Sequence, residues 1–146
     1  MDSTGVLKRM FGEFELSRLE EWNKDYEGII FNTNDSRLTV RSRLAKKTPK
    51  KAVYFVSFWE KNESGNNVAF KYDNSPELLA IVIIDLNRQG IFLLDKDVCV
   101  KRNILSNEKQ SGKMAMRFYP PWCSRLNATA QKTQAWQLNY FKDYSK

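Results

Sequence analysis

Four lysines, Lys46, Lys47, Lys50 and Lys51, crowd around Thr48-Pro49 in the stretch AKKTPKKAVYFVSFWEK, residues 45–61. Charge that dense is costly to concentrate beside an apolar run unless something negative offsets it. Just upstream, RLTVRSRLA alternates Leu38, Val40, Ser42 and Leu44 with Arg37, Thr39, Arg41 and Arg43. That alternation predicts a half-buried strand with three arginines on one face. Arginine suits two-pronged contacts to phosphate, and lysine supplies point charge. Arg41, Arg43, Lys46, Lys47, Lys50 and Lys51 therefore read as a local grid of phosphate donors, with the Thr48 hydroxyl beside them. The same residues also fit a solvated loop, with Thr48 bonded to its own backbone.

The C-terminal third supplies aromatic groups. Lys132, Trp136 and Tyr140 recur every four residues beside Thr133, on the side of a predicted helix away from Ala130, Gln134, Gln137, Leu138 and Phe141. Such a stripe could stack bases next to a phosphate contact, or Trp136 could anchor the core. In RFYPPWCSR, Arg117, Tyr119 and Trp122 surround a rigid Pro120-Pro121 corner, which either packs Trp122 inward or presents it at a groove.

Other chemistries fall away on composition. The chain has no histidine, so Ser–His and Cys–His nucleophiles and mixed Cys/His zinc sites are impossible. Cys99 and Cys123 lack CxxC spacing, and no GxxxxGK[ST] or GxGxxG occurs. No catalytic residue, metal ligand or cofactor is expected.

These residues need a scaffold. At 146 residues with 42% hydrophobic content, the chain fits one domain spanning 1–146. The net charge of +7 is segregated: −4 over residues 1–35, +7 over 36–61, −3 over 62–100 and +7 over 101–146. Two basic blocks separated in sequence could converge into one face that attracts polyanions. The N-terminus lacks the pattern of a signal peptide, and no apolar run would span a bilayer. A cytoplasmic protein without membrane insertion is expected.

Periodicity predicts a helix over about 5–24, strands in GIIFNTN and RLTVRSRLA, and KKTPKK as a connecting loop. AVYFVSFWEK reads as a central strand, NESGNN as a turn, PELLAIVIIDL and RQGIFLL as a hairpin, and MAMRFYPP as a further strand. A last helix is predicted from about 127 to 143. The fold class is α+β with α/β character: a mixed central sheet flanked by N- and C-terminal helices.

RLAKKTPKKAVYFVSFWEK, MRFYPPW and QKTQAWQLNYF, in that order, resemble the MepB family, small bacterial proteins often encoded beside multidrug efflux genes. The resemblance covers most of the chain and implies no particular reaction. The order of elements also resembles a restriction-endonuclease-like core, whose nucleases hold a metal with an acidic-x-Lys pair. No Asp or Glu here is followed by lysine two positions on; Glu60 leads to Asn62, Asp85 to Asn87, and Asp35 to Arg37. Arginine does not readily serve as a base. The expectation is a basic groove that binds nucleic acid, DNA before RNA, or nucleotide phosphates, without nuclease activity. The alternatives are an enzyme or sensor for a small anion in a sheet-edge pocket, and a module for an acidic protein partner.

Overall fold

The computed structural model describes residues 1–35, 37–50 and 53–146. In chain order the elements are α1 (Asp2–Phe11), β1 (Phe14–Leu19), a 3-10 segment (Glu21–Tyr26), β2 (Ile29–Thr33), β3 (Thr39–Leu44) and β4 (Lys46–Lys47). Then come β5 (Tyr54–Ser57), β6 (Trp59–Lys61), β7 (Asn67–Ala69), β8 (Leu78–Asp85), β9 (Arg88–Asp95) and α2 (Lys96–Lys101). The chain closes with β10 (Ala115–Phe118), α3 (Ala128–Gln137), a 3-10 turn (Leu138–Tyr140) and β11 (Phe141–Asp143).

The fold is α+β. A six-stranded mixed sheet runs β1-β2-β3-β8-β9-β11, a three-stranded sheet runs β10-β5-β4, and β6 with β7 forms a separate hairpin. Among the described strands, β3 and β8 pair in parallel and the other strand pairings are antiparallel. β8 is a continuous apolar run because both of its faces are covered. Leu79, Ile81 and Ile83 face one core with the three-stranded sheet, whereas Ala80 and Val82 face a second core with Val6 and Leu7 of α1.

Several expectations from the sequence are corrected. The N-terminal helix ends at Phe11, because Gly12 takes a left-handed φ of 70° and its N–H closes onto Lys8. The residues beyond it form edge strand β1, paired with β2. AVYFVSFWEK is not central to the main sheet. Its first half, as β5, is the middle strand of the small sheet, and its second half enters the β6–β7 hairpin. KKTPKK begins as strand β4 before it loops. The C-terminal helix stops at Gln137, and Phe141–Asp143 pairs with β9 as the sheet's other edge.

The largest departure concerns β3. Alternation puts Arg41 and Arg43 on one face, but that face is interior: their side chains are 3% and 0% exposed. Glu20 Oε1 accepts from Arg41 Nε at 3.1 Å and from Arg43 Nη1 at 2.7 Å. Arg43 Nε donates to Asn23 Oδ1 at 3.0 Å, and Glu60 approaches Arg41 Nη1 at 4.0 Å. Arg41 lies 3.9 Å above the Phe70 ring centroid. Gly28 makes room for this cluster, since a Cβ there would come within 2.9 Å of Arg43 Nη1.

Two stability predictions follow from these contacts. Arg43→Ala leaves Glu20 buried without its shortest partner and should cost about 3–5 kcal/mol in urea unfolding; a loss under about 1 kcal/mol would refute the cluster's structural role. Next to Gly28, the Glu27 carboxylate accepts from the Asp2 and Ser3 N–H groups and the Ser3 hydroxyl, where Met1 gives α1 no side-chain cap. Burial raises the Glu27 pKa, but the Ser3 and Asp2 hydrogen bonds outweigh it and hold the carboxyl below its ordinary value. Its stabilisation is therefore complete above the unfolded-state pKa and is lost as pH falls through the lower folded value. Glu27→Ala should cost about 0.5–2 kcal/mol at neutral pH. The difference from the parent protein should shrink in acid, and a constant difference across that range would contradict the capping role.

Candidate nucleic-acid interface

Strand alternation divides the small sheet into two faces. Tyr54 and Val56 of β5 and Met116 and Phe118 of β10 point into the core. Phe55 points the other way, and its cross-strand partners are Arg117 on β10 and Lys46 on β4. Partners directly opposite share a face, so the outer surface carries a row Arg117–Phe55–Lys46. The ring is half-buried and both cations are exposed. Tyr26 adjoins the row: its ring lies 6.3 Å from that of Phe55, and Lys46 Nζ sits 4.9 Å from its centroid.

Phe55 and Arg117 also belong to the wall of a cleft of about 500 Å³, which runs between the small sheet, the end of α2 and α3. Lys101, Arg102, Lys113 and Trp136 line it as well. None of the lining residues is acidic. Among the described residues, Lys46, Lys101, Arg102, Lys113 and Arg117 make no ion pair within 4.0 Å. The Arg102 guanidinium stacks 4.7 Å from the Trp136 ring. A larger open hollow of about 790 Å³ lies beside α2 and shares Lys101 with this cleft, but its wall carries Asp73, Asp97 and Glu108 against three lysines. That balance gives it no preference for an anion, so the smaller cleft is the stronger candidate.

The structure sorts the residues singled out in sequence. Arg117, Tyr119, Thr133 and Trp136 line the cleft, and Lys46 extends it across the sheet. Tyr119 is buried, and its backbone N–H donates to Gln137 Oε1 at 2.9 Å. The Thr133 hydroxyl donates to the Thr129 carbonyl at 3.2 Å. Arg41 and Arg43 are interior, because Glu20 and Glu60 neutralise them away from solvent. Lys47 points opposite to Lys46 and pairs with Asp85 at 3.2 Å. Thr48 is half-buried with its N–H on the Val53 carbonyl, and Lys50 is exposed in the loop; Lys51 lies outside the described residues.

Trp122 is held by packing: its indole N–H donates to the Tyr54 hydroxyl at 2.8 Å, and its ring meets Phe141 edge-on. Lys132 is exposed and lies outside the cleft wall, while Tyr140 packs on Trp136 at 6.4 Å. Sequence reasoning missed Tyr26, Phe55, Lys101, Arg102 and Lys113. The outward phase of Phe55 and the basic excess after residue 100 were its available signals. The thiols offer no nucleophile, since burial pushes Cys123 up to about 11 and Cys99 to about 12. Among the described residues, no three His, Cys, Asp or Glu side chains gather in a way that could hold a metal ion. No helix there is long and apolar enough to cross a membrane.

A MepB-like family model matches residues 20–143. The solved crystal structure of MepB is similar, with 40% sequence identity and a TM-score of 0.86 over 100% of this chain and 99% of that one. No curated protein matches the chain. With a family model matching most of its length and a solved relative covering all of it, the chain belongs to the MepB family.

Proposed function

We propose that this protein binds nucleic acid, or nucleotide phosphates at the least, in the cleft between its small sheet, α2 and α3, and does not cleave what it binds. One observation carries the reading: Lys101, Arg102, Lys113 and Arg117 line a cleft with no acidic residue in its wall and no ion partner of their own. Four cations held at such proximity repel one another and are relieved by a polyanion. Arginine forks suit phosphate oxygens, and half-buried Trp136 sets an aromatic ring among them. Continuity of the cleft with the Arg117–Phe55–Lys46 row favours a chain over a small anion, because a polymer can engage both regions at once.

Salt dependence tests this reading. Affinity for an oligonucleotide should fall as salt rises, with log K against log salt sloping by about −0.7 per contact on a single strand or about −0.9 on a duplex. Replacing Lys101, Arg102, Lys113 and Arg117 together by glutamine should flatten that slope by roughly 3–4 units. Lys132→Ala, outside the cleft, should change it little. An unchanged slope in the quadruple variant would remove the cleft from the account.

Cleavage is tested separately. Purified protein with Mg²⁺ or Mn²⁺ should leave single- and double-stranded substrates intact. Reproducible cutting that disappears on Asp85→Ala or Glu60→Ala would contradict the absence of nuclease activity.

A further inference from the structure

Resting on that reading, we infer that the ligand is a single strand whose bases stack on the outer face of the small sheet, at Phe55 and Tyr26, with its phosphates on Lys46 and Arg117. Arg117, Phe55 and Lys46 are direct cross-strand partners, so a ring sits between two cations on neighbouring strands about 5 Å away on either side. A nucleotide has the matching form, a flat base attached to a charged phosphate. Exposure adds to this: Phe55 and Tyr26 are both half-buried, two rings 6.3 Å apart beside exposed Lys46 and Arg117.

The next pair along the same face is Ala115 opposite Ser57; Ser57 is covered, but Ala115 is partly open and keeps the sheet low on the Arg117 side of Phe55. Ala115 also lines the cleft, which connects this shelf to Lys101, Arg102 and Lys113. A duplex keeps its bases stacked on one another and offers the protein only its phosphates and groove edges. Its bases could not use these rings. An unpaired strand has free base faces, and stacking on protein rings tolerates any base. Lys46 rests on the Tyr26 ring at 4.9 Å and, on its flexible stem, can swing to a phosphate when a base takes that place.

The experiment compares three labelled ligands about ten nucleotides long at one salt concentration: an intact homopyrimidine strand, the same backbone without bases, and the matching duplex. Fluorescence anisotropy should show the intact strand binding about 5- to 150-fold tighter than the abasic one. The duplex should resemble the abasic strand. Phe55→Leu should erase the advantage of the intact strand and leave abasic binding unchanged, and Tyr26→Leu should do the same in part. Deoxy and ribo forms are both run; a base-dependent gain with either supports the inference, and the tighter one names the sugar. Equal binding of intact and abasic strands, or of duplex and single strand, would overturn stacking while leaving the phosphate cleft in place. Failure of all three ligands to bind at low salt would overturn the cleft as well.

Discussion

Two arginines can lie inside this protein because Glu20 reaches both of them at once. One carboxylate oxygen accepts from Arg41 and Arg43 together, at 3.1 and 2.7 Å, and Glu60 approaches Arg41 from the β6–β7 hairpin. Removing such charges from water costs several kcal/mol each, so they persist only where opposite charge and hydrogen bonds meet them. Here Arg41 and Arg43 meet Glu20 and Glu60, and the more exposed Arg18 reaches the other Glu20 oxygen at 3.7 Å. The contacts join β3, the segment after β1 and the hairpin, three parts of the chain that share no backbone ladder. Phe70 adds an aromatic face beneath Arg41. The geometry around the interior strand β3 therefore depends on an ionic cluster as much as on apolar contact.

That cluster also decides where the protein is basic outside. It withdraws Arg41 and Arg43 from the first basic block and leaves Arg37, Lys46, Lys47, Lys50 and Lys61 exposed among the described residues. The second block contributes Lys101, Arg102, Lys113 and Arg117 to one cleft without burying a counter-charge there. Of the first block, Lys46 adjoins these cations, and it does so across the small sheet and not through β3. The difference between a buried arginine and a surface one is the presence of Glu20, which lies more than twenty positions away in sequence.

Much of the fold was legible for local reasons. The apolar run of β8 and the turn after it specify a hairpin by themselves, and the β-branched residues of β2 specify a strand. Misreadings arose where tertiary pairing overrode local pattern. FELSRL continues the spacing of Leu7, Met10 and Phe11, yet Gly12 breaks the helix and β2 supplies a ladder partner. At the other terminus, Phe141 fits the helix face formed by Ala130 and Gln137, but pairing with Phe92 of β9 extends it as a strand. For the candidate site, alternation predicted which side of β3 the arginines take and was silent on whether water or carboxylate waits there. The cleft was harder still, because its cations come from the end of α2, a loop and β10, and only the fold brings these together.

Lys46 and Lys47 show why a run of like charge is not a patch. As neighbours on a strand they point to opposite faces, so one joins the Arg117–Phe55 row and the other reaches Asp85. Asp85 accepts from the Tyr54 hydroxyl at 2.6 Å, and that hydroxyl accepts in turn from the Trp122 indole. The Tyr54 hydrogen bond, against opposing burial and with help from Lys47, holds the Asp85 carboxyl below its ordinary value. Burial and the Asp85 bond push the Tyr54 hydroxyl above the ordinary tyrosine range, so it stays protonated and donating. This chain of contacts fastens the small sheet to the end of the β8–β9 hairpin and to the Pro120-Pro121 corner. Fixed there, β5 must present Phe55 outward, and β10 must hold Arg117 beside it. One lysine of the pair thus serves to orient the surface on which the other stands.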